Sequence, residues 1–311
     1  MEIIVYKTGP SALDLAPKGL NRCKTVEHIL RKRNLSLKNI VFVDDMLISM
    51  FPFSERGSFL MCPANAQEKV KELVLEKGGF VSTKRSTEAM AEFLTDIYPN
   101  LCKKWHKSVH SIIFDKDGCL WERQKIKQSL PSFEIITDYV KNCKGPFTES
   151  PPISVATGAS EKSVIRMLRY IQINKENIPE KLRQTWLPII MEEGCLSLDP
   201  ITETLIDFTE NRYGLFPPGQ QKLIKLIMDI GEKINKRALA INKTLGAKCE
   251  IVKKERAGYT IGLPFKTRND PEEVKNAHVE IYKQVKDLLE NLPPDIGIEF
   301  HGLLTKKELD R

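Results

Sequence analysis

The chain has 311 residues, which is long for one small domain and suits a core domain with a second module. Hydrophobic residues make up 41% and charged residues 29%, a balance that is typical of globular proteins and excludes a disordered or collagen-like chain. The 48 lysines and arginines exceed the 41 aspartates and glutamates, and the charge of +7 fits either a solvated basic surface or a preference for anionic ligands such as phosphate esters or nucleic acid.

In the first hundred residues, short apolar runs alternate with helical patterns. The run Asn-Ile-Val-Phe-Val at 39–43 is continuous, which is typical of a strand buried on both faces of a parallel sheet. The predicted strands are 3–6, 12–15, 39–43 and 58–62. The predicted helices are 24–33, 66–76 and 86–98, the last with Ser86 as its cap.

The middle of the chain repeats this alternation, and the last third changes character. Buried strands are predicted at 109–114 and 153–156, a fourth core strand at 186–191, and a helix at 160–170. This alternation indicates an α/β fold with a parallel, doubly wound sheet. From about residue 195 the pattern indicates a smaller α+β module. Its predicted elements are helices 220–243 and 271–292, a hairpin of 249–253 with 259–263, and a strand at 296–300.

Cysteine spacing and hydropathy bear on where the protein works. The seven cysteines are scattered without a Cys-x-x-Cys pair, which predicts reduced thiols and a cytoplasmic location. The N-terminal apolar run is short and has no basic lead, so a strand is expected there and not a signal peptide. No apolar stretch approaches the roughly 20 residues that span a bilayer, so no membrane partner is expected.

Polar side chains follow three of the predicted buried strands. Asp44-Asp45 follows the first, Asp115-Lys116-Asp117-Gly118 the second and Thr157-Gly158 the third. The carboxyl ends of parallel strands share one edge of an open sheet, so the fold should bring the three tips together. Each tip alone has an ordinary explanation, since Asp-x-Asp-Gly is common in surface turns and Asp or Thr often caps a helix. Their convergence is what predicts a functional site.

The carboxylates at these tips suit phosphoryl transfer. Asp115, with Asp44 or Asp45, would hold Mg²⁺, and Asp117 is a fourth candidate ligand. The metal cancels the repulsion between a phosphate ester and an anionic nucleophile. The free oxygen of Asp115 would attack phosphorus. Asp117 would protonate the leaving oxygen and then activate water.

The residues beside these carboxylates suit the same chemistry. Gly118 permits a tight turn, and Gly158 with the hydroxyl and backbone N–H of Thr157 would bind the phosphoryl group. Two rival motifs are excluded. An EF-hand would need Asp or Asn at the position of Cys119, and a P-loop would need a glycine before Lys162.

These residues resemble the motifs of the haloacid dehalogenase superfamily. Phe-Asp-Lys-Asp-Gly-Cys-Leu at 114–120 is similar to its first motif, with cysteine where Thr or Val is usual. Val-Ala-Thr-Gly-Ala-Ser at 155–160 is similar to its second motif. Ile-Ile-Met-Glu-Glu-Gly at 189–194 resembles the Ile-Ile-x-Glu-Asn-Gly segment that opens the cap in the sugar-phosphatase branch.

The third and fourth motifs of the family also have counterparts. The segment 12–22 resembles the one that carries the phosphate-binding lysine, with Arg22 at the lysine position and Lys24 two residues on. Val-Phe-Val-Asp-Asp at 41–45 resembles the fourth motif in its Asp-Asp form. Which of the two bases binds phosphate, and which of the two aspartates binds metal, stays open.

The order of these segments differs from that of the family, in which the third and fourth motifs follow the cap. Here they precede the first motif, so the resemblance implies a circular permutant with termini within or beside the cap. Two half-domains that complete each other across a swapped dimer are the alternative. On the permutant interpretation, residues 1–17 are cap-edge strands and 195–311 form the cap. The two halves of a Rossmann-like core are then 18–105 and 106–194.

The resemblance implies a Mg²⁺-dependent phosphatase that forms a phospho-aspartate and acts on a phosphorylated sugar or a similar small metabolite. A mixed α/β cap would set specificity, and the hairpin bases Lys253, Lys254 and Arg256 are candidate substrate contacts. A polynucleotide phosphatase would suit the charge, but the sequence has no basic stripe interleaved with aromatic residues. A phosphomutase would use the same nucleophile. A non-catalytic ligand- or partner-binding protein is the third alternative. The substrate and the oligomeric state stay open.

Overall fold

A computed structural model describes residues 2–9, 12–19, 21–101, 103–121, 126–216, 220–245, 252–254, 258–262 and 295–301. The chain divides into two compact units. The continuous segment Asn21–Phe208 is called the core unit below, and Met1–Leu20 with Thr209–Arg311 is called the second unit. All three polar strand tips lie in the core unit.

The strands are β1 (Glu2–Gly9), β2 (Ala12–Pro17), β3 (Ile40–Val43), β4 (Phe59–Cys62), β5 (Phe80–Val81), β6 (Ser111–Phe114), β7 (Ile153–Val155), β8 (Ile189–Met191), β9 (Leu196–Leu198), β10 (Leu205–Asp207), β11 (Val252–Lys254), β12 (Gly258–Gly262) and β13 (Gly297–His301). The helices are α1 (Arg22–Arg31), α2 (Leu47–Ser54), α3 (Glu68–Glu76), α4 (Ser86–Glu92), α5 (Tyr98–Leu101), α6 (Lys103–His106), α7 (Ile126–Asn142), α8 (Glu161–Ile171) and α9 (Gln220–Leu245).

The core unit is an α/β structure on a parallel sheet with the strand order β5-β4-β3-β6-β7. Every neighbouring pair in this sheet runs parallel. Strands β3 and β6 are buried along their whole length, as the apolar runs at 39–43 and 109–114 predict. The predicted parallel α/β sheet is therefore confirmed.

Alternate residues of the central strands belong to two separate apolar layers. Val41 and Val43 pack in one layer and Ile40 and Phe42 in the other, because successive side chains of a strand point to opposite faces. Helices α4, α7 and α8 contribute to the first layer, and α1, α2 and α3 to the second. Helices thus cover both faces, and the carboxyl edge of the sheet is where loops bring polar groups together.

Two local predictions differ from the structure. The predicted fourth core strand is the short strand β8, which pairs with β9 in an antiparallel sheet of order β10-β9-β8. Strand β9 follows β8 after a tight turn, so β8 pairs with its neighbour in sequence, and a bridge between Ala156 and Ile190 joins it to the end of β7. Ser86 is the first residue of α4 and does not cap it. Its N–H donates to Asn65 Oδ1 at 2.7 Å, so Asn65 supplies the acceptor.

The second unit combines a mixed sheet with a long helix. Its strand order is β11-β12-β2-β1-β13, and β1 pairs antiparallel with β2 and parallel with β13. The predicted hairpin is confirmed, since β11 and β12 pair antiparallel. Helix α9 contacts β2 and β12. The predicted helix at 271–292 lies outside the described residues.

The described cysteines and helices bear on two expectations from the sequence, reduced thiols and the absence of a membrane span. Within the described residues, the cysteines are buried free thiols, namely Cys23, Cys62, Cys119, Cys143 and Cys195. Across the same ranges, none of the helices is both long enough and apolar enough to cross a membrane.

Candidate functional site

Three carboxylates meet at the carboxyl edge of the parallel sheet. Asp44 and Asp45 directly follow β3, and Asp115 directly follows β6, the neighbouring strand. The N–H of Asp115 donates to the carbonyl of Val43 at 2.8 Å, which extends the pairing of the two strands up to the acidic residues. Each aspartate offers one carboxylate oxygen, and these oxygens all lie within 4.8 Å of one another. The structure thus brings together two of the three strand tips that the sequence singles out.

A buried arginine lies among these carboxylates. Arg22 is the first residue of α1, and 5% of its surface is exposed. Its Nη1 donates to Asp115 Oδ1 and to the carbonyl of Ala156, the latter at 2.7 Å. Its Nη2 donates to Ser49 Oγ and lies 3.5 Å from Asp44 Oδ2. A planar guanidinium carries five donors in a fixed fork, so it can hold this many acceptors at once.

Lys24 is the other candidate phosphate-binding base, two residues further along α1. Helix positions i and i+2 point about 200° apart, so the two side chains leave the helix in different directions. The structure brings Arg22 into contact with Asp115, while Lys24 lies half-buried on another side of α1.

Burial and mutual repulsion perturb the titration of these groups. Burial raises the pKa of Asp44 well above its usual value, Arg22 opposes this, and the charge of Asp115 adds to it. Burial, reinforced by the charge of Asp115, raises the pKa of Asp45 to about 7. Burial works against the charge of Arg22, but the surrounding carboxylates, Asp115 first, outweigh it and raise the pKa of Arg22. The cluster therefore has more negative charge than one guanidinium neutralises.

The donor set of this cluster fits a divalent cation such as Mg²⁺. Carboxylate oxygens are ligands that Mg²⁺ prefers, and three are gathered here. Asp44 Oδ2 is buried and accepts no hydrogen bond from any residue that the structure describes, so it is available as a ligand atom. A cation would also relieve the repulsion that helps to raise the pKa values of Asp44 and Asp45.

Asp117 and Gly118 form the turn after β6. The side chain of Asp117 is 65% exposed and pairs with Lys116, so it points to solvent while the three other aspartates are buried or half-buried. Gly118 has φ +81°, and a methyl group on it would overlap Asp45 Oδ2. Asn65 Nδ2 donates to the carbonyl of Gly118 at 2.9 Å. The turn therefore fits closely around Asp45 and requires glycine.

Thr157 and Gly158 lie beyond the end of β7, the strand next to β6. The buried Thr157 hydroxyl accepts a hydrogen bond from the N–H of Ala159 at 3.2 Å. The N–H of Thr157 donates to the carbonyl of Ile190 at 3.0 Å. That N–H was expected to bind a phosphoryl group, but the bridge between the two sheets already engages it. The hydroxyl hydrogen remains as the donor of Thr157.

The sequence does not identify two residues of the site, Ser49 and Glu193. Ser49 is one of two serines in the apolar helix α2, which gives no periodic signal. Glu193 Oε2 lies 3.6 Å from Arg22 Nε, and a methyl group on Gly158 would overlap Glu193 Oε1. Two acidic residues before Gly194 at the end of a core strand were the available signal for a tight turn that carries a carboxylate.

The turn that carries Glu193 has an uncommon backbone. Residues 192–194 have φ values of +50°, +56° and +94°, and such left-handed conformations cost about 1–3 kcal/mol for each non-glycine residue. Hydrogen bonds hold the turn in place. The N–H groups of residues 192 and 193 donate to the carbonyls of Ala159 and Thr157 at 3.1 and 3.3 Å, and Thr25 Oγ1 donates to the carbonyl of Gly194 at 2.8 Å. The turn therefore positions Glu193 between α1 and the Thr157-Gly158 tip.

The candidate substrate contacts lie in the second unit. Lys253 and Lys254 belong to β11, and Arg256 lies outside the described residues. Their proposed role in substrate binding stays a prediction.

Comparison with protein-family models, with curated proteins and with solved structures finds no match for this chain.

Proposed function

We propose that the protein is a Mg²⁺-dependent phosphomonoesterase that forms a phospho-aspartate on Asp115. The observation that carries this proposal is the position of Asp115 at the carboxyl end of β6. There it contacts the buried Arg22 on one side and has the carboxylates of Asp44 and Asp45 within reach of a shared cation on the other. Perturbed carboxylates gathered at the carboxyl edge of a parallel sheet are typical of a catalytic site.

Asp44, Asp45 and Asp115 would hold the metal. When bound, Mg²⁺ would neutralise negative charge on the phosphoryl group and on the nucleophile. Arg22 engages Asp115 Oδ1, so the second oxygen, Oδ2, is the one proposed to attack. The guanidinium also reduces the repulsion that an anionic ester would meet at this carboxylate.

The reaction proceeds in two displacements. In the first, Asp115 Oδ2 forms a bond to phosphorus while the bond from phosphorus to the ester oxygen breaks, and Asp117 donates a proton to that oxygen. In the second, Asp117 takes a proton from water, the water oxygen bonds to phosphorus, and the acyl-phosphate bond breaks. Inorganic phosphate leaves, Asp115 is again a carboxylate, and Asp117 again carries the proton with which it began. The exposed position of Asp117 gives it access to both the leaving alcohol and water.

The substrate class is proposed to be a phosphorylated sugar or a similar small metabolite, and the second unit is proposed to act as the cap. The pairing of β1 with β13 supports the circular permutation, since it joins strands from opposite ends of the chain in one sheet. The buried free thiols among the described residues support a cytoplasmic location. The motif resemblance supports the haloacid dehalogenase superfamily as the family.

A non-catalytic ligand-binding protein is the second candidate, and one observation favours it. Arg22 already pairs with Asp115 and lies near Asp44, so the cluster is partly neutralised without metal. A polynucleotide phosphatase differs from the lead proposal in its salt response, because binding to a nucleic acid weakens steeply with salt whereas binding to a small ester does not.

Hydrolysis of an aryl phosphate with and without Mg²⁺ tests the proposal. The parent should be active with Mg²⁺, and Asp115→Asn should lose about a thousandfold or more of that activity because no nucleophile remains. Asp138→Asn is the matched control, since Asp138 is an exposed aspartate on α7 that pairs with Lys141. If the parent is as inert as Asp115→Asn toward aryl phosphate and a panel of sugar phosphates, the enzyme proposal is wrong and the ligand-binding candidate replaces it.

A further inference from the structure

The carboxylate of Glu193 lies where the proposed phosphate-binding groups converge. On one side, Glu193 Oε2 is 3.6 Å from Arg22 Nε. On the other, Glu193 Oε1 fills the space over Gly158 that a methyl group would need. Arg22 and Gly158 are two of the groups expected to hold the phosphoryl oxygens, so an anionic side chain of the protein itself lies between them.

The arginine leaves one donor directed toward this position. Two of its nitrogens, Nη1 and Nη2, donate hydrogen bonds to Asp115, Ala156 and Ser49. Arg22 Nε is buried and donates no hydrogen bond to any residue that the structure describes. At 3.6 Å the Glu193 carboxylate attracts Nε without satisfying it. A tetrahedral oxyanion that came closer would gain a charge-assisted hydrogen bond that Glu193 does not make.

The side chain of Glu193 lies closer to solvent than that of Arg22. The backbone of Glu193 is fixed by the hydrogen bond from its N–H to the carbonyl of Thr157 and by the hydrogen bond from Thr25 Oγ1 to the carbonyl of the adjacent Gly194. Its side chain is 17% exposed, whereas that of Arg22 is 6% exposed. Departure of the carboxylate from this position requires a rotation about the side-chain bonds of Glu193, which leaves these backbone hydrogen bonds intact.

We propose that Glu193 is an internal competitor for the phosphate site: its carboxylate occupies the anion position between Arg22 and Gly158 and must move out when a phosphate group binds. This inference rests on the proposed function, because it takes Arg22 and Gly158 as phosphate ligands. A phosphoryl group held by Arg22 Nε and Gly158 would need the space that the Glu193 carboxylate fills, and the two like charges repel, so each excludes the other. Glu193 thus lowers the affinity of the site for oxyanions, including the product phosphate.

Binding of inorganic phosphate, measured by calorimetry on the full chain with Mg²⁺ present, tests this without turnover. Glu193→Gln keeps the shape and removes the charge, and it should bind phosphate about tenfold more tightly, as expected if the competing carboxylate occupies the site about nine-tenths of the time. Glu193→Asn is the second variant, because Asn tolerates the φ of +56° and should keep the fold. Glu68→Gln is the matched control, since Glu68 is an exposed glutamate on α3 that pairs with Lys71.

The outcomes separate this inference from the proposed function. Tighter phosphate binding by both Glu193 variants, with Glu68→Gln unchanged, supports competition. Equal or weaker binding by the Glu193 variants overturns it and leaves Glu193 as a residue that positions Arg22. If the variants gain affinity but the parent shows no phosphatase activity, competition stands and the enzyme proposal fails. If the parent is an active phosphatase and no variant changes its phosphate affinity, the enzyme proposal stands and competition fails.

Discussion

Replacing Arg22 with methionine removes the positive guanidinium while keeping much of the length of the side chain. Arg22 is 5% exposed and contacts or approaches the carboxylates of Asp115, Asp44 and Glu193. Removal of one partner from a buried ion pair costs about 3–5 kcal/mol, because the other partner is left buried and uncompensated. We therefore expect Arg22→Met to lose about 3–5 kcal/mol of unfolding free energy at pH 8 without metal.

The same loss should shrink at low pH. Burial and neighbouring charge raise the pKa of Asp45 to about 7 and that of Asp44 well above its usual value, so below pH 7 a proton can replace the missing cation. At pH 5 the loss should fall to about 1–2 kcal/mol, the cost of lost hydrogen bonds and packing alone. The difference between the two pH values separates charge from shape.

Urea unfolding followed by tryptophan fluorescence measures this loss in the core unit. All three tryptophans, Trp105, Trp121 and Trp186, lie within Asn21–Phe208, so the signal reports that unit. Arg166→Met on the exposed face of α8 is the matched control and should change stability by less than about 0.5 kcal/mol. A loss below about 1 kcal/mol for Arg22→Met at pH 8, or an equal loss at pH 5 and pH 8, would refute the assignment of Arg22 as the buried counter-ion.

Three further predictions concern the acidic site. Gly118→Ala should cost about 1–3 kcal/mol of unfolding free energy, because Gly118 has a φ of +81°. It should also weaken Mg²⁺ binding about 10- to 100-fold, because the added methyl group displaces the Asp45 carboxylate. Mg²⁺ titration of the parent and the variant measures this, and unchanged affinity would contradict it. The pKa of Asp45 in the folded state exceeds the usual 3.8, so the folded state binds more protons than the unfolded state. The metal-free protein should therefore lose stability as pH rises from about 4 to about 7. Urea unfolding across that range measures this, and a free energy of unfolding that increases with pH would contradict it. Asp117→Asn should turn over an aryl phosphate slowly and accumulate phosphoenzyme. The reason is that an aryl leaving group needs little protonation, whereas the attacking water needs a base. Rapid-quench kinetics measures the phosphoenzyme, and turnover as fast as that of the parent would contradict the role of Asp117.

Much of the core unit follows from apolar runs and their period. Residues 40–43 form a continuous apolar run, residues 109–114 and 153–156 are mostly apolar, and each segment contains a strand of the parallel sheet. Because parallel strands end at one edge, the approach of Asp115 to Asp44 and Asp45 follows from the sequence pattern alone. The segment 186–191 was not predictable to the same degree, since an apolar run does not specify which strand it pairs with, and β8 pairs with β9.

The contacts of the site that the sequence missed depend on backbone conformation. Glu193 reaches Arg22 through a turn in which three successive residues have positive φ. Gly194 signals a turn, but the sequence does not specify that the two glutamates before it adopt left-handed conformations. Ser49 faces Arg22 because α2 packs beside α1, a tertiary contact without a sequence period. The engagement of the Thr157 N–H by Ile190 likewise depends on a bridge between two sheets.

Direct detection of phosphoryl transfer to Asp115 tests the central claim. The parent and Asp117→Asn are mixed with an aryl phosphate and Mg²⁺, quenched in acid, digested and analysed by mass spectrometry for the peptide that contains residue 115. The account predicts the added mass of one phosphoryl group on Asp115, more of it in Asp117→Asn, and none in Asp115→Asn. Turnover by the parent with no phosphorylation of Asp115 in either protein, or with phosphorylation of another residue, would contradict it.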